Sequence, residues 1–377
     1  MKHITNDIHP IGSPKKNTGA VIPSVCLSTI FAMNVPLDEE GFQYGRIGNP
    51  TRMILEKTLA QLEKAEFCSV FSSGSSAIAI FLLTLRPGDT VLCHTVMYEG
   101  TQRLFQKVFN QLDIHCECVD IKNLKLVESN MKPNVKWIFF ESPTNPMLEV
   151  LDIRSICRIA HNHNVMVAVD NTLASPAVQK PISFGADVVI ESLTKAINGH
   201  SDVIGGLVAT NNREIHKKIS FLQQTIGAIL SPFDCFLVLR GLRTLHIRVE
   251  AQQKSSQKVL DFLTSHKRIQ RIHFPGLNSK SELFTVKKQM KGCGSVLSFH
   301  LKRSVNPFVF LKRLRLITIA QSFGGAETII QQPTRMMNLS FTEDERTSLG
   351  IDDWFFRLSI GLEKPEEIIN DLREALK

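Results

Sequence analysis

From about residue 51 to residue 230 the chain alternates short apolar runs with stretches of helical periodicity, and few architectures accept that alternation. The runs are TVLCH, IHCECVDI, KWIFFES, VMVAVDN, ADVVIES and GGLVAT, and segments such as ILEKTLAQLEKA and IRSICRIAHNHN repeat apolar residues every three or four positions. Runs that are apolar throughout belong to strands buried on both faces, and strands joined by helices run parallel. The expected fold class is therefore α/β, a mostly parallel sheet with helices on both faces. Ligands of such open sheets collect at the carboxyl ends of the strands, so residues just after those ends are inspected first.

Beyond residue 230 a long amphipathic stretch, DCFLVLRGLRTLHIRVEAQQKSSQKVLDFLTSH, leads to a strand near GSVLSFHL and a final helix in EEIINDLREALK. This predicts a smaller C-terminal α/β domain over 241–377, after a larger domain over 51–240. Residues 1–50 lack strong periodicity and hold several Pro and Gly residues, which suits an extended arm.

Bulk properties exclude several function classes. No apolar run is long enough to span a bilayer, and the opening MKHITNDIHPIGSPKK lacks the apolar core of a secretory signal, so a cytoplasmic protein with no membrane partner is expected. The net charge of +8 comes from scattered pairs such as Lys15-Lys16 and Lys287-Lys288 rather than from a basic stripe, and no nucleic-acid partner is expected. Cys116 and Cys118 fall on one face of a strand with no further ligands nearby, so no metal site is expected and the eight thiols are read as structural.

Strand VMVAVDN ends in Asp170, and ADVVIES leads into Thr194 and Lys195. A carboxylate at that edge can hold a pyridinium nitrogen protonated, and a lysine there can condense with an aldehyde if its amine is kept neutral. Taken alone, such a pair is more readily read as a helix cap and a surface lysine. The surroundings are more specific. Ser192 and Thr194 offer hydroxyls, NGHSDVIGG suits a tight loop, and Ser73, Gly74, Ser75 and Ser76 precede an apolar helix whose first N–H groups could cradle a phosphate.

The segment VDNTLASPAVQKPISFGADVVIESLTKAINGHSDVIGG resembles the lysine segment of the Cys/Met-metabolism enzymes that use pyridoxal 5′-phosphate (PLP). The likeness continues in the family's order through TGAVIPS, FQYGRIGNPTR, FSSGSSA, YEGT, ESPTNP, LRGLRTLHIR, SFGGAE and RLSIGLE. It implies the aspartate-aminotransferase-like fold type I, with a sheet of seven-stranded type, assembled as a homotetramer of active dimers. It also implies roles. Lys195 would bind the cofactor aldehyde and move protons, Asp170 would pair with the ring nitrogen, and Tyr98 would stack on the ring. Gly74, Ser75, Ser192 and Thr194 would hold the phosphate, joined by Tyr44 and Arg46 from the neighbouring subunit. Asn145, Ser322 and Arg357 would receive the α-carboxylate of an amino-acid substrate. The chain has only two tyrosines, Tyr44 and Tyr98, and both stand at motif positions.

Departures from the family pattern bear on substrate. Ser75 replaces a usual Met or Leu, Glu99 a usual Gly, and Met337 and Asn338 a Thr-His pair. Gln321 stands where cystathionine-handling γ-enzymes carry Glu, and it is expected to face the substrate's distal ammonium. Phe323 and FQYGR resemble the plant-type γ-synthases, whereas LSPFDCFLVLRGLRTLHIR resembles the γ-lyases. The expected activity is a carbon–sulfur lyase of trans-sulfuration, cystathionine γ-lyase first, with γ-synthase, β-lyase and methionine γ-lyase as alternatives. A non-catalytic PLP-binding protein is the alternative from a different class.

Overall fold

The computed structural model describes residues 20–33, 41–336, 346 and 350–377, so Met337, Asn338 and part of the N-terminal arm lie outside the described residues. Strands β1 (Phe67–Phe71), β2 (Thr90–His94), β3 (His115–Val119), β4 (Val135–Glu141), β5 (Met166–Asp170), β6 (Val188–Ser192) and β7 (Gly206–Thr210) form one sheet. Their order is β1-β7-β6-β5-β4-β2-β3. β6, β5, β4, β2 and β3 pair in parallel, and β7 runs antiparallel to both its neighbours. The α/β class and the mostly parallel sheet read from the sequence are those observed.

Period-two alternation sends the side chains of each strand to two covered faces. Trp137 and Phe139 of β4 join Phe81, Val91 and Ile190 on one face, and Ile138 and Phe140 join Leu92, Val167 and Ile156 on the other. All these side chains are buried, each burial contributing about 1.5–3 kcal/mol in transfer terms. Only the edge strand β3 has no fully buried residue. There Cys116 and Cys118 share a face, their Sγ atoms 3.9 Å apart, and none of the eight cysteines is in a disulfide.

A second sheet holds β8 (Ile269–His273), β9 (Val296–Leu301), β10 (Thr318–Ile319), β11 (Ile329–Gln331) and β12 (Phe355–Ser359) in the order β10-β11-β12-β9-β8. The long amphipathic stretch resolves into two helices, Pro232–Leu242 and Leu245–Ser265. Val238 and Leu242 of the first, and Leu245 and Val249 of the second, pack with Leu55, Leu59 and Leu207 of the larger unit. Val259, Leu260 and Leu263, farther along the second helix, belong to the core of the second sheet. One 21-residue helix therefore serves both cores.

Under the large sheet lie two carboxyls with no access to water, Glu63 at the end of helix Pro50–Glu63 and Glu191 of β6. They interact with each other, and Asn171 Nδ2 donates to Glu191 Oε1 at 2.5 Å. Burial raises both, and the neighbouring Glu63 raises Glu191 further, while the hydrogen bond with Glu191 partly offsets the rise of Glu63, which is pushed from the ordinary 4.5 to about 7. Lys180 is the cation that tempers this, while Asp170 adds to it. The folded chain thus binds more protons than the unfolded chain between those values, so stability is fully present below pH 4.5 and falls as pH rises through about 7. Glu191→Gln, which needs no proton, is expected to flatten that slope. Melting temperatures of both proteins from pH 5 to 8 check this, and parallel curves would rule it out.

Candidate active site

Neighbouring parallel strands end on one cleft. β2 leads through residues 95–97 to Tyr98, β4 ends at Glu141 and runs on to Asn145, β5 ends at Asp170, and β6 ends at Ser192, followed by Thr194 and Lys195. The second sheet contributes Arg357 from β12, paired in register with Gln331 of β11, and Ser322 from the preceding loop. These groups line a cavity of about 340 Å³. Gly74, Ser75, Tyr98, Asn145, Asp170, Ser192, Thr194, Lys195, Gln321, Ser322 and Arg357, all read from the sequence, meet there. Tyr44 and Arg46 do not. Tyr44 is largely exposed, and Arg46 stacks its guanidinium 5.7 Å from the Tyr44 ring while donating to the Gln224 carbonyl.

At one end of the cavity, helix Gly74–Leu82 begins with a reciprocal cap: Ser73 Oγ accepts from the Ser76 N–H at 3.0 Å, and Ser76 Oγ accepts from the Ser73 N–H at 2.9 Å. The N–H groups of Gly74 and Ser75 are left at the helix's positive end. Close approach requires glycine here. A Cβ on Gly74 would lie 3.0 Å from the Ser192 Cβ, and one on Gly206 of β7 would lie 2.3 Å from the Ser73 carbonyl oxygen.

In the middle, Asp170 is buried, with the Thr172 N–H 3.0 Å from Oδ1 and no ion pair among the described residues; burial raises its carboxyl above the usual range. Tyr98 packs its ring against the helix that follows, where a Cβ on Gly100 would fall 2.3 Å from the ring. Its N–H donates to the buried carboxyl of Glu141.

At the other end, Arg357 is buried; Nη1 donates to Asn145 Oδ1 at 2.6 Å, and Nη2 donates to the Ser322 carbonyl at 3.1 Å and to Gln331 Oε1. Lys195 Nζ donates to Ser322 Oγ at 2.7 Å. Ser322 meets both cations with a backbone φ of +105°, a strained conformation of the kind that concentrates at working sites. Lys195 and Arg357 each lie 5.0 Å from the centre of the Phe323 ring. Burial, and then the nearby Arg357 charge, lower the Lys195 amine to about 8, so that roughly a tenth of it is neutral at pH 7.

The scan against family models finds one that matches residues 4–377, the Cys/Met metabolism PLP-dependent enzymes. The chain belongs to this family. It is therefore an enzyme whose cofactor is PLP. It is 40% identical to human cystathionine gamma-lyase over 99% of this chain and 93% of that one. It is also 40% identical to cystathionine beta-lyase of Lactococcus lactis over 99% and 98% respectively. A solved structure of cystathionine gamma-lyase from Lactobacillus plantarum, complexed with L-serine, superposes with a TM-score of 0.96 at 36% identity, covering 100% of this chain and 98% of that one. The cavity fits the family's cofactor: it has an amine that loses its proton easily, a helix N-terminus ringed by hydroxyls, and a buried carboxyl lacking a cation.

Three site features escaped the sequence reading. Glu141 pairs in register with Asp170, and its place at the end of KWIFFES gave the same signal as the end of VMVAVDN. Gln331, in a three-residue strand, gave none. The third is Arg248, in LRGLRTLHIR, which is buried and donates to the carbonyls of Ala196 at 2.9 Å, Ile197 at 3.2 Å and Gly241 at 2.9 Å. It clamps the loop just after Lys195, and Gly199 leaves room for its guanidinium. Arg248→Met strips three carbonyls of a charged donor, with an expected loss of about 3 kcal/mol or more in unfolding free energy. Denaturant titration checks this, and the cofactor affinity should fall with it. A change below about 0.5 kcal/mol, the range of ordinary surface substitutions, would show that the clamp is dispensable.

Proposed function

We propose that the protein is a cystathionine γ-lyase, converting cystathionine to cysteine, 2-oxobutyrate and ammonia. The observation that carries this reading is full-length likeness to γ-lyases combined with the meeting of Lys195, Ser322, Asn145 and Arg357 in one cavity. Bound PLP supplies an electron sink for negative charge at the substrate's α-carbon. Lys195 takes the proton from Cα, passes it on and, neutral again, takes a second from Cβ, which returns to sulfur as the thiol leaves from Cγ. Arg357 and Asn145 hold the α-carboxylate, and the Ser322 hydroxyl keeps the Lys195 amine aimed. Asp170 would pair with the cofactor's ring nitrogen and Tyr98 would cover its ring. Gly74 and Ser75 would give backbone N–H groups to its phosphate, and Ser192 and Thr194 hydroxyls. Gln321 turns its amide N–H to the Met336 carbonyl, which leaves its Oε1 to accept from the substrate's distal ammonium.

The division into an arm over 1–50, a cofactor-binding domain over 51–240 and a C-terminal domain over 241–377 belongs to the same proposal. So does a cytoplasmic homotetramer in which Tyr44 and Arg46 reach the phosphate of a neighbouring subunit. In favour of that assembly, the arm presents Leu27 and Ile30 to solvent at 68% and 74% exposure, surfaces that a second subunit would cover. Among the described residues no helix is long and apolar enough to cross a membrane.

Incubation with cystathionine should yield 2-oxobutyrate and cysteine. Pyruvate and homocysteine would instead identify a β-lyase, and turnover only with an activated homoserine plus cysteine a γ-synthase. Lys195→Ala should lose the yellow absorbance of the lysine-bound cofactor and nearly all turnover. Mixing Arg46→Ala with Lys195→Ala subunits should restore part of the activity, because a hybrid dimer carries one intact site; no recovery after demonstrated exchange would argue against a shared site.

A further inference from the structure

We infer that Glu99 supplies the negative charge that receives the distal ammonium of the substrate, a specificity role that the neutral Gln321 leaves open. The inference rests on the proposed reading only in taking a substrate with a second amino group.

Glu99 is the first residue of helix Glu99–Lys107, directly after Tyr98, and it lines the same cavity as Gln321, Lys195 and Arg357. Its side chain is half-buried, and Oε2 is shielded from water with no hydrogen-bond partner. An acceptor withdrawn from water without a partner is costly, so the position favours a ligand that brings a donor. The cations of this chain whose fields reach Glu99 are otherwise engaged or face away. Lys195 donates to Ser322, Arg357 spends both Nη groups on Asn145, Ser322 and Gln331, and Arg103, one turn along the helix, is exposed. None of them forms an ion pair with Glu99 among the described residues.

An amino-acid substrate with two ammonium groups brings the missing cation. Its α-amino group must sit at Lys195, where reaction occurs, and its α-carboxylate at Arg357. The distal ammonium is the remaining charge. Gln321, exposed at the cavity mouth, offers it a neutral oxygen, and Glu99, deeper in, offers the anion. Burial raises the Glu99 carboxyl, and an ammonium docked beside it would hold the group ionised.

The test compares dissociation constants for three ligands, measured by calorimetry on PLP-loaded Lys195→Ala protein, which does not turn over, with and without Glu99→Gln. The ligands are cystathionine, a homocysteine thioether bearing a 2-aminoethyl group (distal ammonium only), and one bearing a 2-carboxyethyl group (distal carboxylate only). Glu99→Gln should weaken the first two about five- to tenfold, the difference between a charge-assisted and a neutral hydrogen bond, and leave the third unchanged. Glu99→Gly should repeat the pattern. Equal weakening of all three would overturn the inference and make Glu99 a counter-ion for Arg357; no weakening of any would overturn it as well. A native enzyme that fails to cleave cystathionine, yet whose Glu99→Gln form discriminates between the two analogues, would sink the proposed reaction and keep the Glu99 assignment.

Discussion

Everything at this site depends on keeping one lysine amine dry beside a second cation. Two positive groups resist sharing a low-dielectric pocket, and the structure tolerates the pair because each is given its own acceptors. Arg357 is enclosed by the side-chain oxygens of Asn145 and Gln331, and Lys195 rests on the Ser322 hydroxyl. Ser322 is shared between them, its hydroxyl toward one cation and its carbonyl toward the other, in a backbone conformation that residues other than glycine rarely adopt. The mutual repulsion is then useful, since it helps drive the proton off the amine.

Much of this was legible from the chain alone, for reasons that differ by element. β2, β4, β5, β6 and β7 are buried at nearly every position because helices cover both faces, and their apolar runs stand out. β1, FCSVF, was not among the runs read, since only residues 64–66, without Gly or Pro, separate it from the preceding helix Pro50–Glu63. β10 and β11, of two and three residues, are too short to carry any periodicity. The break between helices Pro232–Leu242 and Leu245–Ser265 was hidden for another reason: Arg243 and Thr244 are ordinary helix residues, and Arg248 of the second helix bonds the carbonyls of Ala196 and Ile197, more than 40 positions away in sequence.

The site shows the same division. Residues at the ends of long buried strands, Asp170, Ser192 and Lys195, were found from pattern, and the family likeness added Asn145, Ser322 and Arg357, which reach the cavity through tertiary folding. Spacing could not foretell that Gln331 completes the Arg357 cage or that Arg248 anchors the lysine loop. Gln331 meets Arg357 only through the pairing of β11 with β12, and Arg248 meets Ala196 and Ile197 only when its helix packs on the larger unit.

The helix Leu245–Ser265 has a consequence for how the molecule comes apart. At about 1.5 Å per residue it is a rod of roughly 30 Å, with one end set in the core of the large unit and the other in that of the second sheet. Melting either core strips cover from the rod, and a frayed rod withdraws apolar contacts from the other core. The two cores are thereby expected to melt in one transition, with Arg357 of β12 released in the same step.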